Sequence, residues 1–396
     1  MPWKETCPMD QKIQLLSDWL KKNHTITELS QIYCVSRKTI YKWIERYKEE
    51  GLEGMKERSR APLYHPNAIK PEIVSQIIDT KLQHKTWGPK KIVARLETIY
   101  PDNPWPAPST TGDILKKEGL VDARHYKRHT PPYTEPFKHC ERPNDVWSID
   151  YKGQFRMQDG KLCYPLTISD NYSRYLLSCQ GLFHPTYENT MPWLKRAFQE
   201  YGLPLAMRND NGAPFASVGL GGISRLSIWL IKLWIRPERI EPGHPEQNGR
   251  HERMHLTLKK ETADPSRANM QEQQKAFKVF RYIYDNERPH EALNQQTPAK
   301  LYLPSNRRLP EKLAPVEYDS CYTVRQVRHN GCIKWKGNFV YVSQALAKEP
   351  IGLRQISETE WEVRFSFHVL GILDDRIVKV LPITNKNKCL LPMSPV

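Results

Sequence analysis

Three acidic residues in separate stretches of this chain stand where a carboxylate could act on a substrate. They are Asp150 in "WSIDYKG", Asp210 in "RNDNGAPF" and Glu252 in "PEQNGRHERMHLTLKKE". Asp150 lies among Trp147, Ile149 and Tyr151. A carboxylate in so apolar a run is costly unless it is paired or bound to a metal. Asp210 ends a short strand-like run just before Asn211 and Gly212; taken alone, that tripeptide reads as an ordinary chain reversal. Glu252 opens a stretch of helical period in which His255 and Lys259 follow on the same face, while Glu246 and Glu261 point elsewhere. A carboxylate, an imidazole and an ammonium in a row suit a metal site beside a phosphate backbone; the plain alternative is a solvated, charged helix face. Three carboxylates from separate segments are what two-metal phosphoryl transfer needs, and their hard oxygens suit two ions of Mg²⁺ or Mn²⁺. Asp170 in "ISDNYSRY" also ends a strand before an Asn turn and competes for membership.

The elements around these acids predict an α/β domain. "VWSIDYKGQFRM", "KLCYPLTISD" and "RYLLSCQGL" are strand-like runs joined by turns. "YENTMPWLKRAFQEYG" reads as a helix ending at Gly202, "LAMRND" as a strand and "ISRLSIWLIKLWI" as a core helix, so the sheet is expected to be mixed. Upstream, "TITELSQIYCVSRKTIYKWIERYKEEG" has the layout of a helix-turn-helix, with Thr27 and Ser36 as candidate caps and "CVS" as the turn. The early residues of its second helix, Arg37, Lys38, Thr39, Tyr41 and Lys42, would face DNA bases. A second helical unit ends in "PSTTGDILKKEGL", again shaped like a DNA-reading helix. Short alternating runs toward the C-terminus, such as "GCIKWKGNFVYV" and "EWEVRFSF", predict a small β barrel.

The net charge of +16 is shared by every segment rather than gathered in a tail, as expected of a chain that meets a polyanion along its length. Hydrophobic content of 39% and charged content of 26% suit a soluble globular protein. The first residues lack an apolar signal region, so a cytoplasmic protein with no membrane partner is expected. Eight scattered cysteines without a CxxC pair favour neither a zinc site nor a disulfide framework.

In combination, "VWSIDYKG", "DNG" with Phe215 five residues after Asp210, "QNGRHER" and "ERPHEAL" resemble DDE transposases with a retroviral-integrase-type core. More narrowly, the chain resembles bacterial insertion-sequence transposases carrying helix-turn-helix domains ahead of that core. The resemblance covers about residues 10–305. It implies a ribonuclease-H-like fold and places Asp150, Asp210 and Glu252 on the family's metal-binding triad. It places Lys259 where the family contacts DNA near the scissile end. Arg288, Pro289 and His290 match a motif that closes the core. Asn211, His255 and Arg288 are counted with the DNA-binding residues. The stretch between Asp210 and Glu252 is longer than usual in this group, and no His/Cys zinc module opens the chain as in retroviral integrases.

The expected architecture is multidomain: all-α helix-turn-helix domains, an α/β ribonuclease-H-like core with a mixed sheet, and a small C-terminal β barrel. It runs as a helix-turn-helix domain over 1–55, a linker over 56–70, a helix-turn-helix-like domain over 71–124, a linker over 125–145, the catalytic core over 146–305 and the barrel over 313–396. The expected function is a transposase that binds the terminal inverted repeats of a mobile element and catalyses metal-dependent strand cleavage and strand transfer on double-stranded DNA. It would act as a homodimer or higher multimer in the bacterial cytoplasm, at the nucleoid. The alternative is a catalytically inactive DNA-binding regulator derived from such an enzyme.

Overall fold

Caps and prolines set the helix starts of the N-terminal third. The computed structural model describes residues 7–58, 68–121, 140–151, 153–209, 215, 222–239 and 249–382. Two compact units divide the chain, Met1–Ile69 and Lys70–Val396. In the first, Pro8 opens α1 (Pro8–Leu20), and α2 (Ile26–Ile32) and α3 (Arg37–Glu50) follow. Thr25, not Thr27, caps α2. Its hydroxyl accepts from the Glu28 backbone N–H while the Glu28 carboxylate accepts from the Thr25 N–H, a reciprocal box that Thr27 has no acid to complete. Ser36 caps α3 through the Thr39 N–H. Leu15, Leu16, Leu29, Ile40, Trp43, Ile44 and Met55 form the core between these helices.

The second unit begins with α4 (Pro71–Gln83), α5 (Pro89–Ile99) and α6 (Pro108–Lys117), each opened by a proline whose missing N–H costs nothing there. A six-stranded mixed sheet follows, built from β1 (Val146–Tyr151), β2 (Phe155–Arg156), β3 (Leu162–Asp170), β4 (Leu176–Leu182), β5 (Ala206–Asn209) and β6 (Arg236–Arg239). Its strand order is β2-β3-β1-β5-β6, with β4 also on β3. The pairs β1–β3 and β3–β4 are antiparallel; β1–β5 and β5–β6 are parallel. Helices α7 (Tyr187–Tyr201) and α8 (Arg225–Lys232) bury one face, with Trp147, Ile149, Leu194, Phe198, Leu226 and Leu230 in its core. Helices α9 (Gly249–Leu258) and α10 (Met270–Asn286) cover the other through Met254, Leu258, Phe277 and Phe280. The short α11 (Pro298–Leu301) leads to Tyr302, which stacks on Tyr175 with ring centres 4.5 Å apart.

The segment read as one core helix, "ISRLSIWLIKLWI", divides. Helix α8 stops at Lys232, Trp234 takes a left-handed φ of 57°, and β6 starts at Arg236. Both sides of α8 are buried: Leu226 and Leu230 face the mixed sheet, while Ile228 and Ile231 face the C-terminal strands. Those strands are β7 (Thr323–Gln326), β8 (Cys332–Trp335), β9 (Asn338–Tyr341), β10 (Pro350–Gln355), β11 (Glu360–Phe365), β12 (His368–Asp374) and β13 (Lys379–Leu381). They form an open five-stranded antiparallel sheet in the order β13-β12-β11-β10-β7, plus a separate β8–β9 hairpin. The expected closed barrel is therefore not what the described strands show. Ile333 and Val340 of the hairpin, with Ile228 and Ile231 of α8, bury the apolar face by packing, so no ladder between β7 and β13 is needed.

Charged and polar groups dock α5 on the end of α10 and the segment after it. Lys90 pairs with Glu291 at 2.6 Å, Arg95 lies 3.6 Å from Glu287, and Lys91 donates to the Pro289 carbonyl. The seven described cysteines are all free thiols. No helix among the described residues is long and apolar enough to cross a membrane.

Candidate active site

Alternation along β1 separates two chemistries. Trp147, Ile149 and Tyr151 enter the core under α7 and α8, so Ser148 and Asp150 must face the opposite side. The antiparallel register sets Asp150 against Thr167 and Ser148 against Ser169 of β3, which makes this part of the face polar. Helix α9 covers it with His251, Met254, His255 and Leu258, all buried. The Thr167 hydroxyl lies 2.7 Å from Nε2 of His251 and 2.7 Å from Nε2 of His255, and donates to the Asp150 carbonyl at 3.2 Å. Nδ1 of His251 lies 3.1 Å from the Ser169 hydroxyl. Burial holds that imidazole neutral, its pKa pushed down to about 3. Nδ1 of His255 lies 3.9 Å from Oδ2 of Asp150. One carboxylate oxygen and a nitrogen from each histidine fall within 4.8 Å of one another.

Glu252 and Lys259 are exposed, while His255 is only 4% exposed. The face expected to carry all three in a row is thus split between rim and interior. The buried stripe of α9 passes through His251 and His255, leaving Glu252 at its rim and Lys259 at the π-helical turn Lys259–Ala263 that follows. His255 is engaged inside the protein, where its ring meets the Thr167 hydroxyl. Strand β5 is described to Asn209, which pairs with Ile149; Asp210 and Asn211 lie outside the described residues.

Arg288 is also buried. Its guanidinium holds Glu261 at 3.0 Å and Thr86 at 3.3 Å, linking the π-helical turn to the α4–α5 loop. Asp170 is likewise occupied: it accepts from the Asn144 N–H, the Ser173 N–H and the Ser173 hydroxyl, and closes the turn after β3. In the first unit, Arg37, Lys38, Tyr41 and Lys42 are exposed on the opening turns of α3. Thr39 is half-buried, its hydroxyl 2.8 Å from that of Ser36.

His251, Thr167 and Ser169 were missed from the sequence. Two signals could have found them: the i, i+4 spacing of His251 and His255, and polar residues alternating with apolar ones in both paired strands.

His290 carries a pH-dependent share of stability. Burial, with Lys91 and Arg288 nearby, pushes its pKa down to about 3. Unfolded, the ring titrates near 6.5. Between those values the unfolded chain takes up a proton that the folded chain refuses, so the contribution is full above pH about 6.5 and lost as pH falls through the window. Urea midpoints are expected to drop from pH 7 to pH 5, and less steeply in His290→Gln. An equal drop in that variant would remove His290 as a source.

Models described as integrase core domain match residues 141–245 and 233–298. A helix-turn-helix domain matches residues 11–62 and a homeodomain-like domain residues 39–115. The transposase for transposon Tn552 of Staphylococcus aureus is 24% identical over 272 residues, 63% of this chain and 55% of that protein. The chain carries an integrase core domain and a helix-turn-helix domain. An uncharacterized 31.7 kDa protein of insertion element IS407 from Burkholderia multivorans is 26% identical to this integrase-core protein over 165 residues, 40% of this chain and 55% of that one. The chain thus spans about half the length of the curated relatives it matches. Among solved structures, the catalytic core of HTLV-2 integrase in complex with magnesium aligns with a TM-score of 0.33 and 17% identity over 41% of this chain and 99% of that one. The simian T-cell lymphotropic virus intasome in complex with a PP2A regulatory subunit aligns with a TM-score of 0.36 and 18% identity over 77% and 99%. Helix-turn-helix and integrase domains mark this protein as DNA-binding, and integrase-type cores depend on divalent metal.

Proposed function

We propose that this integrase-core protein binds the terminal inverted repeats of a mobile element, cuts a DNA strand there and joins it to target DNA. One observation supports the reading above the others. Strands β1 and β5 run parallel with Ile149 opposite Asn209, and the next residues in the chain are Asp150 and Asp210. Alternation gives the Asp150 carboxylate to the face under α9, where Glu252 flanks the buried histidines. The donor chemistry fits Mg²⁺ or Mn²⁺, because carboxylate oxygens are hard ligands and the exposed rim leaves room for phosphate oxygens. Two bound divalent ions would supply Lewis-acid activation of the attacking oxygen and stabilisation of the leaving one.

Asp150, Asp210 and Glu252 hold the ions, and Asn211 orients Asp210. Lys259, exposed at the end of α9, pairs with a phosphate near the scissile bond. Water is the first nucleophile and the freed 3′-hydroxyl the second, so no side chain forms a bond to DNA. Arg37, Lys38, Thr39, Tyr41 and Lys42 read the element end, and the domain division over 1–55, 71–124, 146–305 and 313–396 separates DNA reading from chemistry. Two inverted ends imply a symmetric dimer or higher multimer, working at the nucleoid of a bacterial cytoplasm.

The test is cleavage and joining of a labelled duplex carrying the element's end, with Mg²⁺, Mn²⁺ or a chelator. Nicked and joined products that need metal are expected. Tight end-binding with no cleavage under either metal would replace this reading by that of a DNA-binding regulator.

A further inference from the structure

We infer that His255 supplies an imidazole nitrogen to the divalent ion held by Asp150, which makes that position a mixed oxygen and nitrogen site favouring Mn²⁺ over Mg²⁺. This rests on the metal reading of the site proposed above. Nδ1 of His255 and Oδ2 of Asp150 are 3.9 Å apart, too far for a hydrogen bond. Two ligands each about 2.1 Å from one ion lie at most about 4.2 Å apart. The observed separation therefore falls inside the span of a shared ion.

The rest of the ring is arranged as a metal-ligating histidine requires. Such a histidine directs its other nitrogen at a fixed partner, which sets the tautomer and aims the ligating nitrogen. Here Nε2 of His255 meets the Thr167 hydroxyl at 2.7 Å. That hydroxyl also donates to the Asp150 carbonyl, so both hydrogen bonds carry their protons if Nε2–H is the donor. Nδ1 is then the basic nitrogen, and it faces the carboxylate. Both nitrogens of His251 face hydroxyls, those of Thr167 and Ser169. The ring stacked edge-on against His255, with centres 4.5 Å apart, holds its neighbour in place. An imidazole donor raises affinity for Mn²⁺ relative to Mg²⁺, which prefers oxygen alone.

Pulsed electron paramagnetic resonance on the full chain loaded with Mn²⁺ tests the assignment without reference to activity. Expected is a ¹⁴N modulation of the Mn²⁺ echo that changes to the ¹⁵N pattern when histidine alone is ¹⁵N-labelled. The wild-type protein suffices for that comparison. In His255→Gln the modulation should vanish and the Mn²⁺ dissociation constant rise about tenfold or more, while in His251→Gln the modulation should persist. Mn²⁺ binding that is lost in Asp150→Asn but shows no histidine nitrogen would overturn the inference and leave the carboxylate site standing. Modulation that survives His255→Gln and disappears in His251→Gln would overturn it in favour of the other ring. No Asp150-dependent Mn²⁺ binding would overturn both the inference and the metal reading beneath it.

Discussion

Asp150→Asn is expected to slow metal-dependent strand cleavage and joining by on the order of 10³-fold, while the protein still binds the element end. The substitution keeps the shape of the side chain and removes only its charge and one acceptor oxygen. Asp150 sits on β1, whose ladders to β3 and β5 use backbone groups the change does not touch. Gel-shift affinity and thermal melting, measured beside the cleavage assay, separate loss of chemistry from loss of fold. Cleavage within about tenfold of wild type would deny Asp150 a metal-holding role.

The largest expected loss of stability comes from Trp147→Ala. Trp147 is fully buried, and its indole N–H donates to Oδ1 of Asn144 at 3.1 Å. The same oxygen accepts from the Tyr302 hydroxyl at 2.9 Å, and Nδ2 of Asn144 donates to the Leu303 carbonyl at 2.8 Å. The Asn144 side chain thus ties Trp147 of β1 to the end of the core segment some 150 residues later, and the Trp147 ring packs against Phe198 with centres 5.7 Å apart. Truncation leaves a cavity and is expected to cost about 3–5 kcal/mol. For a domain of this size that corresponds to a melting point lower by roughly 10 °C, read by calorimetry. A fall under about 2 °C would show that the neighbours collapse into the space.

Local rules made much of this legible. Alternation in "VWSIDY" and "LCYPLTISD" places the strands and the face that carries Asp150, because a period of two is a property of the backbone. Caps were legible less finely: Thr27 is two residues inside the true start, and only the acid at Glu28 distinguishes Thr25. The burial boundary on α9 was not legible, since Glu252 and His255 are three residues apart and a 60° turn decides which is covered. Pairings between distant charges, such as Arg288 with Glu261, have no sequence signature at all. Neither has the sheet opening at β7 and β13, which depends on what α8 brings to cover it.

Helix α8 lies within the span from Asp210 to Glu252. Its eight residues serve two hydrophobic cores at once, and Lys232 adds an ion pair to Glu349 while Trp234 stacks on Phe367. Cutting the chain after α11 would therefore strip the outer side of α8 bare, leaving Ile228 and Ile231 in water as a sticky seam. The two lobes are in effect hung on a common axle, and whatever turns one lobe must turn the other with it.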